Sequence, residues 1–157
     1  MRLYLLRHGD SEHRAETDAQ RQLTPQGRLQ ALDISLQFTS KGLKLDRCLV
    51  SPFTRAIQTA DSFLSRVEGA PGMEIVDFLT PEIRALEAMN QLELMPDDES
   101  ILLVSHNPLV TELNAVLVEG NIDNLLIMET CEMSVIDIDI VGTGMGRRQM
   151  SILPHDV

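Results

Sequence analysis

What most constrains this chain is the order in which short apolar runs alternate with helix starts. Leu3 to Leu6 is apolar at every position, and so is Ile101 to Val104. Runs of that kind suit strands buried on both faces of a mostly parallel sheet. Leu45 to Val50 is another strand candidate, and Met73 to Val76 a shorter one. Helix starts fall between them. Thr24-Pro25 reads as an N-cap and first helical position, followed by an apolar stripe of Leu29, Leu32 and Leu36. Ser51-Pro52 repeats the signal and predicts a helix that buries Ile57, Ala60, Phe63 and Leu64. Pro81 opens a helical segment through Leu94, and Asn107-Pro108 caps one that turns Leu109, Leu113, Val116 and Leu117 inward.

The last third differs. Val135 to Ile140 alternates, with Ile136, Ile138 and Ile140 on one side and Asp137 and Asp139 on the other, which predicts a half-exposed strand near a sheet edge. Gly142 to Gly146 is a turn, and Gln149 to Leu153 returns as a final strand. No internal repeat, low-complexity tract or long linker interrupts the 157 residues. The expectation is α/β: one domain over residues 1–157, a three-layer α/β/α sandwich with a mostly parallel sheet.

Charge and cysteine usage remove several function classes. Acidic residues outnumber basic ones by 24 to 13, for a net charge of -11. That disfavours sequence-independent nucleic-acid binding and a polybasic membrane anchor alike. With no Trp, one Tyr and four Phe, there is little material for base stacking. No apolar segment approaches the roughly 18 residues of a membrane span. The apolar stretch at the start is too short for a signal peptide. Cys48 and Cys131 sit in apolar runs without a CxxC pattern and read as buried thiols in a reducing compartment, so the expected location is the cytoplasm.

Ligands in open α/β sheets sit beyond the carboxyl ends of the strands. Three strand ends here carry notable chemistry: Arg7-His8-Gly9, Ser51-Pro52-Phe53-Thr54-Arg55, and Ser105-His106-Asn107. Arg55 falls in the first turn of its helix, where the helix dipole disfavours a cation unless an anion lies close. Arg7 beside His8 is costly if the imidazole must become cationic. Both features fit a pocket for a phosphate or sulfate anion, which favours bidentate arginine and helix N-termini. Gly9 lets the backbone approach such a ligand.

At this point the chain resembles a known family. Leu6-Arg7-His8-Gly9-Asp10 is similar to the RHG signature of the histidine phosphatase superfamily, with its phosphoglycerate-mutase-like fold. Leu23-Thr24-Pro25-Gln26-Gly27, the segment from Ser51 to Ala60, and Val104-Ser105-His106-Asn107-Pro108 match later motifs in the same order. The short length, the RHGD form and the SPFxRAxQT form resemble SixA-type phosphohistidine phosphatases within that superfamily. The resemblance implies His8 as nucleophile, through a phosphohistidine enzyme intermediate. A main-chain carbonyl near Gly9 would fix its tautomer. Arg7, Arg55 and His106 would clamp the phosphoryl oxygens. Gly9, Arg21, Ser51 and Asn107 are the further candidates for contacting phosphate or its carrier. No cofactor or metal is implied, and His8 and His106 have no third ligand spaced to join them.

The resemblance fails at one point. Many members place an acidic general acid after the third strand, and Glu82 and Glu87 lie there without an identifying pattern. An alkoxide leaving group needs a proton, whereas a protonated phosphoimidazole can leave neutral. The missing acid therefore favours a phosphoramidate substrate, and the resemblance implies phosphohistidine on a protein, with a histidine-containing phosphotransfer domain of a two-component system as the partner. The rival readings are a broad small-molecule phosphomonoesterase and a phosphate-binding module without turnover. His13 and His155 read as exposed.

Overall fold

A computed structural model of the chain describes residues 1–123 and 125–155. In chain order the elements are β1 (Arg2–Arg7), α1 (Pro25–Ser40), β2 (Arg47–Val50), α2 (Thr54–Leu64), β3 (Met73–Ile75), α3 (Ala85–Leu92), β4 (Ser100–Ser105), α4 (Leu109–Val118), β5 (Met133–Ile138) and β6 (Gly146–Ile152). Short 3-10 turns cover Asp18–Gln20 and Asp77–Leu79. The six strands form one sheet in the order β3-β2-β4-β1-β5-β6. The β2–β3, β2–β4 and β1–β4 pairings are parallel, and β5 pairs antiparallel with both β1 and β6.

Residue parity along the strands sorts the core into two halves. Leu3, Leu5, Leu49, Ile101, Leu103 and Ile136 face α3 and α4. Their alternates Tyr4, Leu6, Cys48, Val50, Leu102, Val104 and Val135 face α1 and α2. Period-two alternation of apolar residues on both faces demands a helical layer on each side, and this is the expected three-layer sandwich. Cys48 and Cys131 are both buried free thiols, each pushed up to about 12 by burial.

Five local expectations are corrected. Helix α1 does begin at Thr24-Pro25, with the Thr24 hydroxyl accepting from the Gly27 amide at 3.0 Å. Its buried face, however, is Gly27, Ala31, Ile34, Ser35 and Phe38, while Leu29 and Leu36 are exposed. Two stripes in this helix satisfy the 3.6-residue period. The aromatic one wins because Phe38 stacks edge-on against both Tyr4 and Phe63, at 5.0 and 5.2 Å. Ser51 does not cap α2, whose N-cap is Phe53, and Asn107 does not cap α4, whose N-cap is Pro108 after a cis Asn107–Pro108 bond. Both polar side chains are committed elsewhere, as described below. The segment from Pro81 forms a turn first, and α3 starts only at Ala85. Strand β5 is buried on both faces, because β6 takes the edge position and Asp137 is neutralised by a two-pronged ion pair with Arg2 at 2.6 and 2.8 Å.

Candidate active site

Strands β1, β4 and β2 are neighbours in the sheet, and their carboxyl ends meet. Arg7 and Ser105 are register partners on β1 and β4, so His8 and His106 stand on the next rung past the ladder. The His8 amide donates to the Ser105 carbonyl at 2.9 Å. Their ring centroids lie 5.1 Å apart, close to the interstrand spacing of about 4.8 Å. The Ser51 amide likewise donates to the Val104 carbonyl at 3.0 Å, which ties the end of β2 to β4. Arg55, second residue of α2, is swung back into this corner and is 4% exposed.

The hydrogen bonds assign protons. His8 Nδ1 lies 2.8 Å from the Gly9 carbonyl, which can only accept, so Nδ1 carries the proton and Nε2 keeps its lone pair. That lone pair accepts from Arg55 Nε at 3.2 Å. The Phe53 amide donates to Ser51 Oγ at 3.4 Å, and Ser51 Oγ lies 2.7 Å from His106 Nε2. If the hydroxyl donates to Nε2, His106 carries its proton on Nδ1. His106 Nδ1 and Arg7 Nε are buried and have no protein partner. Arg7 itself is anchored by Nη1, which donates to the Met128 carbonyl at 2.9 Å. The Phe53 ring packs 5.0 Å from His106 and beneath the Arg55 guanidinium at 5.1 Å.

Burial and surrounding charge keep both imidazoles neutral. Desolvation is the main cause for His8, which falls to about 4 against the opposing pull of the Gly9 carbonyl, with Arg55, Arg7 and Arg21 adding repulsion. Desolvation also dominates at His106, lowered to about 2, with His8 and Arg55 contributing. The corner thus presents a neutral nucleophilic nitrogen among arginines. Buried donors without partners are costly in general, and an oxyanion would satisfy them.

The remaining candidates are placed less directly. Ser51 is fully buried and orients His106. Gly9 is needed for packing: a Cβ there would sit 2.6 Å from the Gly27 carbonyl, where α1 presses on the loop. Asn107 uses Nδ2 on the Met128 carbonyl and Oδ1 on the Thr111 hydroxyl, so it fastens the segment that carries Arg7's anchor. Arg21 spends its guanidinium on Ser11 Oγ, the Glu12 carbonyl and Asp18 Oδ1. Glu82 and Glu87 are exposed. His13 and His155 are exposed as expected, and His155 pairs with Asp33.

Two residues in this corner were not anticipated. Thr59 Oγ1 accepts from the Gly9 amide and donates to the Arg55 carbonyl, coupling the two loops. Asp18 meets Arg55 through both its carbonyl and its carboxylate, at 2.6 and 3.0 Å. The only signal in the sequence was the i,i+3 spacing of Asp18 and Arg21. Among the described residues, no three His, Cys, Asp or Glu side chains cluster as a metal site. No described helix is long and apolar enough to cross a membrane.

Comparison with known proteins agrees with this geometry. Residues 3–80 match the family model of the histidine phosphatase superfamily (branch 1). The chain is 29% identical to phosphohistidine phosphatase SixA of Escherichia coli over 153 residues, covering 96% of this chain and 94% of that one. It is 36% identical to a SixA homolog of Haemophilus influenzae over 129 residues, 74% of this chain and 77% of the relative. A solved structure of the protein histidine phosphatase SixA complexed with tungstate superposes with a TM-score of 0.88 at 27% identity, covering 98% and 97% of the two chains.

Proposed function

The chain belongs to the histidine phosphatase superfamily, and on that premise we propose that it hydrolyses phosphohistidine on a protein substrate, through a phosphoenzyme formed on His8. The observation that carries the proposal is the state of His8. Its Nδ1 proton is fixed on the Gly9 carbonyl, and its neutral Nε2 points a lone pair at Arg55 Nε–H. A purely binding pocket requires the cations but no such nucleophile.

The chemistry runs in two displacements. In the first, His8 Nε2 attacks phosphorus as the P–N bond to the substrate imidazole breaks, and the leaving ring takes the electron pair. If its other nitrogen is protonated, it departs as neutral imidazole and needs no general acid from the enzyme. Arg55, the Arg7 guanidinium and His106 Nδ1–H stabilise the charge on the phosphoryl oxygens, where it concentrates in the transition state. In the second, water attacks phosphorus, the P–Nε2 bond breaks, and inorganic phosphate and free His8 result. The two exposed glutamates, Glu82 and Glu87, make no hydrogen bond to His8, Arg55 or His106, which supports a P–N rather than an alkyl ester substrate.

A protein carrier is supported by shape. A cleft of about 750 Å³ opens beside Arg7 and is lined by Gln26, Gln30, Ile127 and Leu153, with Ile127 72% exposed. The two SixA relatives carry the phosphohistidine specificity in their names, and the tungstate complex shows that a SixA protein accepts a tetrahedral oxyanion.

The test is a competition assay that offers the purified protein a phosphohistidine-bearing phosphotransfer domain together with a panel of phosphate esters. We expect kcat/KM to favour the phosphohistidine protein by at least 100-fold. Preference for a small ester would convert the assignment to a phosphomonoesterase. Rapid quenching should trap a base-stable, acid-labile phosphoenzyme, and His8→Ala should remove it while phosphate still binds. Undiminished turnover by His8→Ala would exclude this mechanism.

A further inference from the structure

We propose that Asp18 is a positioning residue that holds the Arg55 guanidinium edge-on to His8, so that its Nε–H side faces the phosphoryl group. The proposal rests on the phosphatase reading above and names a residue that reading does not use. Arginine has five N–H donors. Three of those of Arg55 have protein partners: Nε–H on His8 Nε2, Nη1 on the Asp18 carbonyl, and Nη2 on Asp18 Oδ2. Both terminal nitrogens are therefore tethered by one residue.

An untethered arginine meets phosphate best through a bidentate fork, and the terminal pair is the most accessible one. Released from Asp18, the Arg55 side chain is free to turn that pair toward the phosphoryl oxygens and withdraw Nε–H from His8. The tether keeps the Nε–H beside the nucleophile's lone pair, where a phosphoryl oxygen arriving with phosphorus must also be received. A misplacement of about 1 Å at such a site costs roughly 100-fold in rate.

The tether is itself held. Asp18 Oδ1 accepts from Arg21 Nη1 at 3.0 Å, and Arg21 is fixed in turn to Ser11 Oγ and the Glu12 carbonyl. Asp18 heads a 3-10 turn closed by the Arg21 amide on the Asp18 carbonyl and by the Gln20 amide on the Thr17 carbonyl. The result is a relay from Arg21 through Asp18 and Arg55 to His8. It reassigns Arg21, whose guanidinium is occupied by three protein oxygens, from phosphate contact to support of Asp18. Burial alone would raise the Asp18 carboxyl, but hydrogen bonds from Arg21 and Arg55 hold it below the usual carboxylate range. It is ionised at neutral pH.

The full-length protein tests this with phosphoramidate, a small P–N substrate, in wild type, Asp18→Asn, Asp18→Ala and Asp18→Glu. We expect Asp18→Asn and Asp18→Ala to lower kcat by about 10- to 100-fold, with KM changed less than about threefold. Asp18→Glu should recover part of the loss, and melting temperatures should match wild type. Nitrogen-15 NMR supplies a readout independent of turnover. The Arg55 Nε–H resonance should shift on removal of the carboxylate, together with His8 Nε2. Tighter binding of inorganic phosphate with undiminished kcat in Asp18→Asn would overturn the proposal, since the carboxylate would then be a competitor for the phosphate seat. Unchanged kcat and NMR shifts would overturn it as well. If wild type turned over no P–N substrate, the phosphatase reading would fail, while the resonances would still report whether the tether exists.

Discussion

An imidazole buried among arginines is stable only while it stays neutral. His8 titrates at about 4 in the folded protein and His106 at about 2, against 6.5 for an unhindered histidine. Below pH 6.5 the unfolded chain therefore binds protons that the native chain refuses, and stability falls as pH falls. Paired carboxylates such as Asp18 and Asp137, lowered from 3.8, act in the same direction but at lower pH. The interval from pH 6.5 to 5 thus belongs to the two histidines. We expect the urea midpoint to drop between pH 7 and pH 5, and the drop to shrink in a His106→Gln variant. A midpoint that is level or higher at pH 5 would contradict the burial argument. At this scale the sequence was informative where topology fixes position. Arg7, His8 and His106 were legible because each stands at or just past a strand end, and Arg55 because it lies in the first turn of the helix that follows one. Asp18 was not, because its partner Arg55 lies 37 residues further along the chain.

Elements were legible in proportion to how few arrangements their residues allow. Strands β1 and β4 could be placed because they are apolar at every inner position, whichever face is chosen. Helix α1 was misread, since Leu29, Leu32 and Leu36 form as good a stripe as the one that is buried. The packing makes the difference measurable. Phe38→Ala should cost about 3–5 kcal/mol, because it opens a cavity between Tyr4 and Phe63. Leu36→Glu should stay within about 0.5 kcal/mol, as Leu36 is 58% exposed. Chemical denaturation of both variants checks the assignment of the helix face, and equal losses would refute it. The first turn of α1 is tighter still: a Cβ on Gly27 would sit 2.1 Å from the Asp10 carbonyl. Gly27→Ala should lose at least about 1–3 kcal/mol and disturb the His8–Gly9 loop, so activity should fall alongside the melting temperature.

For the whole molecule, a net charge of -11 surrounds a small cationic corner. The field of the body repels any anionic substrate until short-range contacts take over. Added salt screens that repulsion over a Debye length of about 8 Å at physiological strength. Accordingly, kcat/KM for a small phosphorylated substrate should rise as ionic strength goes from 10 to about 150 mM, and a fall would show that the arginine corner steers encounter on its own. The net charge disfavours nucleic acid, yet as an average it could not reveal that arginines from β1 and α2 converge.

The two imidazoles stand one rung beyond paired strands, 5.1 Å apart. The sheet therefore works as a caliper whose jaws are set by backbone hydrogen bonds and not by the side chains around them. Substitutions on the rim leave that gauge untouched, whereas one residue inserted into β1 would slide the nucleophile by about 3.3 Å and turn it to the other face. Substrate preference can consequently drift through the loops that border the cleft, while the distance on which the chemistry depends stays locked.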